Sequence, residues 1–250
     1  MIDKDVEKYR YDKEAEILLS ADKLNQIEKT PKYLNTPYEF YFKFLEGKNS
    51  QSKLLEIGAG TGQNTGSLID MSYKVCATDI SLKSVELMKK RFYGCVNFSA
   101  QYADMEKLPF NDENFNIVCS AGSLSYGDNK MVMNEIYRVL KPGGMLVVVD
   151  SLNNNPIYQF NRYIKYLKGN RTKSTLVRMP TISLIDKYTQ KFGHVEVKYF
   201  GAITWIFPLL NKVLNEKLMT DFFNWIDATF KIKSSAFKFV MKAVKKWKMI

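Results

Sequence analysis

Leu54-Leu55-Glu56-Ile57-Gly58-Ala59-Gly60-Thr61-Gly62 runs an apolar strand carrying one acid straight into three alternating glycines. Glycine at 58, 60 and 62 strips the turn of Cβ atoms. Its backbone N–H groups can then approach a ligand closely, and positive φ is available where the chain needs it. A dinucleotide loop of the G-x-G-x-x-G type requires a third glycine three residues after Gly60, where Gln63 stands, so that fingerprint fails. Glu56 points elsewhere as well: a fixed carboxylate beside the loop suits a ligand with a cationic amino group. Further on, Tyr73-Lys74-Val75-Cys76-Ala77-Thr78-Asp79 reads as a buried strand ending in an acid, with Ile80 after it. Open α/β sheets bind ligands at such carboxyl ends, and an acid there can accept both hydroxyls of a ribose diol.

Three more segments keep the same βαβ rhythm: Gln101–Phe110 with Asp104 and Met105, Phe115–Gly122 with Ser120, and Asn134–Gly144 leading into the strand Met145–Asp150. Taken in order, these motifs resemble the class I S-adenosylmethionine-dependent methyltransferases. The resemblance implies a Rossmann-like α/β fold: a seven-stranded sheet, mostly parallel with strand 7 antiparallel beside strand 5, and helices on both faces. It implies S-adenosyl-L-methionine as cofactor, leaving as S-adenosyl-L-homocysteine. The expected binding residues are Glu56, Gly58, Ala59, Gly60 and Gly62 for the amino acid end, Asp79 and Ile80 for the ribose, Asp104 and Met105 for the adenine, and Ser120 in strand four. Pro142-Gly143-Gly144 reads as a structural turn.

With 250 residues and 46% hydrophobic content the chain can form one sizeable core, so a single domain over 1–250 is expected. Within it, 1–50 is an N-terminal cap whose helix Tyr38–Leu45 is expected over the cofactor end of the sheet. Residues 53–150 form the cofactor half, and 151–250 a substrate-side half with insertions at 151–180 and 203–231. Strand six is expected at His194–Phe200 and strand seven at Ser235–Ala243. Cys76, Cys95 and Cys119 lack any metal-binding spacing and read as reduced residues. No metal site is expected. The N-terminus carries no apolar targeting region, and the longest uncharged apolar run, Tyr199–Leu210, is too short to span a bilayer. A cytoplasmic location follows as the expectation.

The net charge of +11 is unevenly spread. Residues 161–191 hold eight cations and only Asp186 as an acid, and Lys168–Thr175 interleaves cations, hydroxyls and a glycine, the groups that hold phosphate. Asn153, Asn154, Arg171, Lys173 and Arg178 are therefore expected to bind a small anionic or sugar-type acceptor, such as an intermediate of surface-polysaccharide assembly, by O-methylation. Methylation of RNA or another polyanion, and an inactive cofactor-binding partner subunit, are the alternatives; no dedicated nucleic-acid module is present. A hydroxyl acceptor needs a base within about 3 Å, and Asp128 and Asp150 are the candidates. His194 precedes strand six at the end of the sheet opposite the ligand loops, so it reads as a surface residue. Asn155-Pro156-Ile157-Tyr158 resembles the N-P-P-Y motif of amino-group DNA methyltransferases but follows strand five, where that motif does not belong. Residues 203–231 carry aromatic and aliphatic side chains at helical spacing, which suits a packing helix pair, a substrate lid, or a surface for a homodimer or a peripheral membrane contact.

Overall fold

The computed structural model describes residues 3–21, 35–47, 49, 51–71, 73–169, 171–207, 215–230 and 232–247. Its centre is a seven-stranded sheet in the order β3-β2-β1-β4-β5-β7-β6. The strands are β1 (Lys53–Ile57), β2 (Lys74–Asp79), β3 (Phe98–Tyr102), β4 (Phe115–Ala121), β5 (Leu140–Ser151), β6 (His194–Phe200) and β7 (Lys238–Val244). β1 to β5 pair in parallel, and β7 runs antiparallel between β5 and β6. The helices are α1 (Asp3–Ser20), α2 (Thr36–Leu45), α3 (Thr65–Asp70), α4 (Leu82–Arg91), α5 (Asn129–Val139), α6 (Pro156–Leu167), α7 (Lys173–Arg178), α8 (Ile182–Phe192) and α9 (Glu216–Phe230).

The central strands are apolar on both sides because both faces of a parallel sheet are covered. Leu55, Ile57, Leu146 and Val148 go to one face with residues of α5 and α8, while Leu54, Val147 and Val149 go to the other with α2 and α3. Each such side chain, fully buried, contributes about 1.5–3 kcal/mol relative to exposure. Strand order reverses between β1 and β4, and this switch point is where open α/β sheets leave a crevice. The glycine loop leaves β1 there.

Pro142-Gly143-Gly144 lies inside β5 as an irregularity rather than before it: Phe115 pairs with Leu140, but Ile117 pairs with Met145. The extra residues bulge out, and a Cβ at Gly144 would sit 2.7 Å from the Lys141 carbonyl oxygen. His194 is exposed and pairs with Val244 at the end of the sheet away from the loops.

The expected role of Tyr38–Leu45 needs correction. α2 lies across β5 and β7, with Tyr41 and Leu45 fully buried and the Tyr73 hydroxyl donating to the Leu45 carbonyl. The cofactor end is covered instead by α1, which buries only Glu7 and Ala15. The difference is chemical: an apolar stripe drives α2 onto the sheet face, whereas the polar α1 is held by ion pairs and hydrogen bonds. In the 203–231 segment, a 3-10 turn spans Thr204–Ile206 and α9 packs Met219 and Phe223 inward, while 208–214 and 231 lie outside the described residues. The Asp227 carboxylate accepts the N–H groups of Gly201 and Ala202, at 2.6 and 3.0 Å. α9 contacts the edge strand β6, and none of its described residues lines the cavity described next.

Candidate active site

The glycine loop is shaped by steric need. Gly58 has φ +61°, and a Cβ there would fall 2.4 Å from the Ser123 Cβ, so only glycine lets the loop after β4 come this close. Gly60 has φ +56°, yet nothing lies within 4 Å of where its Cβ would project. Gly60 belongs to the lining of the cavity. Gly62 differs: it packs against Met88 and Phe92 of the α4 region and does not line the cavity, so its expected ligand contact is withdrawn.

The cavity, about 290 Å³, sits at the carboxyl ends of β1, β2 and β4. Gly58, Ala59 and Gly60 line one side, Asp79 and Ile80 another, Asp104 and Met105 a third, and Ala121, Gly122, Ser123 and Tyr126 the floor beyond β4. α1 supplies a roof with Lys4, Glu7, Tyr11 and Glu14. Seven residues expected from the sequence thus meet in one place: Gly58, Ala59, Gly60, Asp79, Ile80, Asp104 and Met105.

Asp79 is nearly buried and accepts the Gly60 N–H on one oxygen at 2.7 Å and the Ser81 N–H on the other at 2.8 Å. Burial pushes its carboxyl above the usual range, while those N–H bonds pull the other way. The carboxylate keeps acceptor capacity beyond these bonds, so it can both lock the loop and accept from a ligand hydroxyl. Asp104 accepts the Glu106 N–H at 2.9 Å and is ion-paired with Lys4, whose ammonium also lies 3.0 Å from Glu106. A cation from the roof therefore occupies the acceptor that the resemblance gives to an adenine amino group.

Several expected positions are corrected. Glu56 faces away from the cavity, fully buried, and takes a 2.6 Å hydrogen bond from the Thr65 hydroxyl at the start of α3. Burial pushes its carboxyl up to about 7. It ties the end of β1 to the start of α3 and is not part of the cavity lining. Ser120 is buried and hydrogen-bonded to Ser123 behind the cavity wall. Asp128 caps α5, accepting the Lys130 and Met131 N–H groups, both at 3.0 Å. Asp150 is buried under the 124–126 turn, accepting the N–H groups of Leu124 and Ser151, and burial raises its pKa against the pull of Lys238. Neither carboxylate lines the cavity. Asn153 accepts from Arg162 and Asn154 from the Ile182 N–H. Arg171 reaches the Met179 sulfur, Lys173 is exposed at the start of α7, and Arg178 stands 3.9 Å from Glu106. These cations sit around the cavity rather than in its lining.

The roof and the tyrosine pair escaped the sequence reading. The Tyr11 hydroxyl donates to that of Tyr126 at 2.7 Å, and Arg10 donates to Tyr126 at 3.3 Å. Burial drives the Tyr11 phenol well above its ordinary pKa. Glu7 accepts from the hydroxyls of Thr172 and Thr175, and Asp3 from the Ser174 N–H, clipping α1 to the start of α7. The sequence signal was thin: a polar stretch containing tyrosines, without an apolar period.

Residues 55–148 match a family model described as a methyltransferase domain. This stretch is similar to the class I S-adenosylmethionine-dependent methyltransferases, and the sheet around it has their fold. An uncharacterized methyltransferase of Bacillus subtilis (strain 168) is 36% identical over 105 residues, covering 42% of this chain and 45% of that protein. A demethylmenaquinone methyltransferase of Chlorobaculum tepidum is 27% identical over 176 residues, 63% of this chain and 71% of its own length. The chain thus spans under half of the first relative. Among solved structures, the geranyl diphosphate C-methyltransferase from Streptomyces coelicolor, in complex with Mg2+, geranyl diphosphate and S-adenosyl-L-homocysteine, superposes with a TM-score of 0.59 at 15% identity. That alignment covers 83% of this chain and 77% of the other and shows a shared fold.

The cavity fits S-adenosylmethionine on its own terms. The space beside Gly60 is open where a Cβ would project, Asp79 keeps acceptor capacity, and Met105 and Ile80 offer apolar flanks for a ring. Among the described residues no cluster of His, Cys, Asp and Glu could hold a metal ion, and no helix is long and apolar enough to cross a membrane.

Proposed function

We propose that this chain transfers a methyl group from S-adenosylmethionine to a small acceptor bearing an anionic group. The cavity at the sheet's switch point carries this reading, since it joins a glycine loop, an acid ending β2 and an acid beyond β3 under one roof. When bound, the cofactor supplies an electrophilic methyl on a sulfonium, so positioning by the protein does most of the remaining work. In this reading the loop at Gly58–Gly60 holds the amino acid end, Asp79 the ribose hydroxyls, and Asp104 the adenine amino group once Lys4 gives way.

The acceptor's hydroxyl or amine meets Tyr126, Tyr11 and Glu7, the cavity's polar groups on the roof and beyond β4. Asp128 and Asp150 stand outside the cavity lining, which turns the search for a proton acceptor to this trio. Lys4, Arg10 and Arg178 stand around the cavity, each ion-paired with a carboxylate that an anionic acceptor would replace. The amides and hydroxyls that suggested a sugar are largely committed to internal bonds, so the anionic charge is the firmer half of that expectation. Three cysteines without disulfides suit a cytoplasmic setting. Leu218, Phe222 and Trp225, exposed along α9, keep the 203–231 segment in this reading as a contact surface.

Release of S-adenosylhomocysteine, followed across phosphorylated sugars, isoprenoid diphosphates, quinol precursors and short RNA, tests the proposal. Turnover with one anionic small molecule, reduced about a hundredfold in Tyr126→Phe or Glu7→Gln, is the expected result. Turnover with RNA alone, or with none of the panel despite cofactor binding, overturns it.

A further inference from the structure

α6 presents its apolar side outward. Its inner side is polar: the Tyr158 hydroxyl donates to the Gly201 carbonyl at 2.9 Å, and the buried Arg162 donates to the Leu152 carbonyl and the Asn153 side chain, both at 2.8 Å. Ile157, Phe160, Tyr163 and Leu167 occupy the other side and are 41, 64, 48 and 61% exposed. At 3.6 residues per turn these four, with the half-buried Ile164, form a single stripe opposite Tyr158 and Arg162. A surface helix ordinarily turns such a stripe to the core. Here it faces solvent, and Val177 on α7 adds a further apolar side chain, 74% exposed.

Along α6 and α7 themselves the charge is of one sign, with Asp3 of α1 set against Ser174. Lys165, Lys168 and Lys173 are exposed, and residues 156–178 contain no aspartate or glutamate. Exposed aromatic and aliphatic residues bordered by lysines are what a helix lying in a lipid–water interface requires. We propose that the outer face of α6 binds the surface of an anionic phospholipid bilayer, with its stripe at the boundary between headgroups and acyl chains and its lysines at the headgroup phosphates. Charge favours this occupant over a second copy of the chain, since a symmetric contact through this face would set like charges against each other. It also suits the whole molecule, whose net charge is +11. α6 leads into α7, which packs on the 124–126 turn, and Tyr126 of that turn lines the cavity. The bilayer would thus lie beside the active-site rim whatever the acceptor is.

Sedimentation of the full chain with vesicles tests this. The vesicles are phosphatidylglycerol mixed with phosphatidylcholine, or phosphatidylcholine alone. Binding to the mixed vesicles is expected, falling at least about tenfold in Phe160→Ser/Leu167→Ser and again in Lys165→Glu/Lys168→Glu, and weakening with added salt. Both variants should keep the parent's melting temperature and S-adenosylhomocysteine affinity, which separates lost lipid binding from lost folding. Absence of binding to anionic vesicles, or binding that neither variant reduces, overturns the proposal. So does a dimer of the parent chain that Phe160→Ser/Leu167→Ser makes monomeric, which would assign the stripe to a second copy.

Discussion

At Gly58 the whole site depends on one missing methyl group. With φ +61° and Ser123 Cβ 2.4 Å from the position of a side chain, Gly58→Ala must strain the backbone and push the two loops apart. Strain at positive φ alone costs about 1–2 kcal/mol, so a melting temperature lower by about 4 °C or more is expected, with cofactor binding lost. A variant that melts with the parent would refute the close approach. Glu56 makes a pH prediction. Its carboxyl is raised by burial from its usual 4.5 to about 7, so the folded state favours the neutral acid. Its contribution to stability is complete below about 4.5 and is lost as pH rises through about 7. Glu56→Gln, which mimics the neutral acid, should gain melting temperature relative to the parent between pH 5 and pH 8. Parallel pH profiles for the two proteins would contradict the buried, mostly uncharged state.

Among the elements, α1 is the one that folding alone reveals. The strands were readable because a buried parallel strand is an apolar run, and the loop because alternating glycines after such a run have few other uses; β6 begins and ends where alternation in His194–Phe200 put it. α1 has no apolar period, and its place over the cavity comes from contacts distant in sequence: Lys4 to Asp104, Glu7 to Thr172, Tyr11 to Tyr126 and Asp12 to Ser81. For the same reason Asp128 and Asp150 passed as candidate bases. A capping aspartate and a catalytic one look alike until the N–H groups they accept are in view. The roof's pairing with Asp104 is half-exposed and worth at most about 1 kcal/mol. Lys4→Met should therefore tighten S-adenosylhomocysteine up to about fivefold. Weaker binding would mean that Lys4 serves the cofactor and does not compete with it.

Across the whole molecule, function gathers at one end of the sheet. The order β3-β2-β1-β4-β5-β7-β6 places the reversal between β1 and β4, and the glycine loop, the acids at 79 and 104 and Tyr126 all lie at the strands' carboxyl ends. The opposite end holds the molecule's only histidine, exposed and paired beside Val244. His194→Gln should leave turnover within about twofold, where loss of a general base would cost about a hundredfold or more. The decisive residue is Asp79, whose carboxylate ties Gly60 into place and faces the cavity. Titration calorimetry of S-adenosylhomocysteine into the parent and into Asp79→Ala tests the site directly. Losing a charge-assisted contact of about 1.5–3 kcal/mol should weaken binding by at least about tenfold in a variant that still unfolds cooperatively. Equal affinity in the two proteins would place the cofactor somewhere other than this cavity.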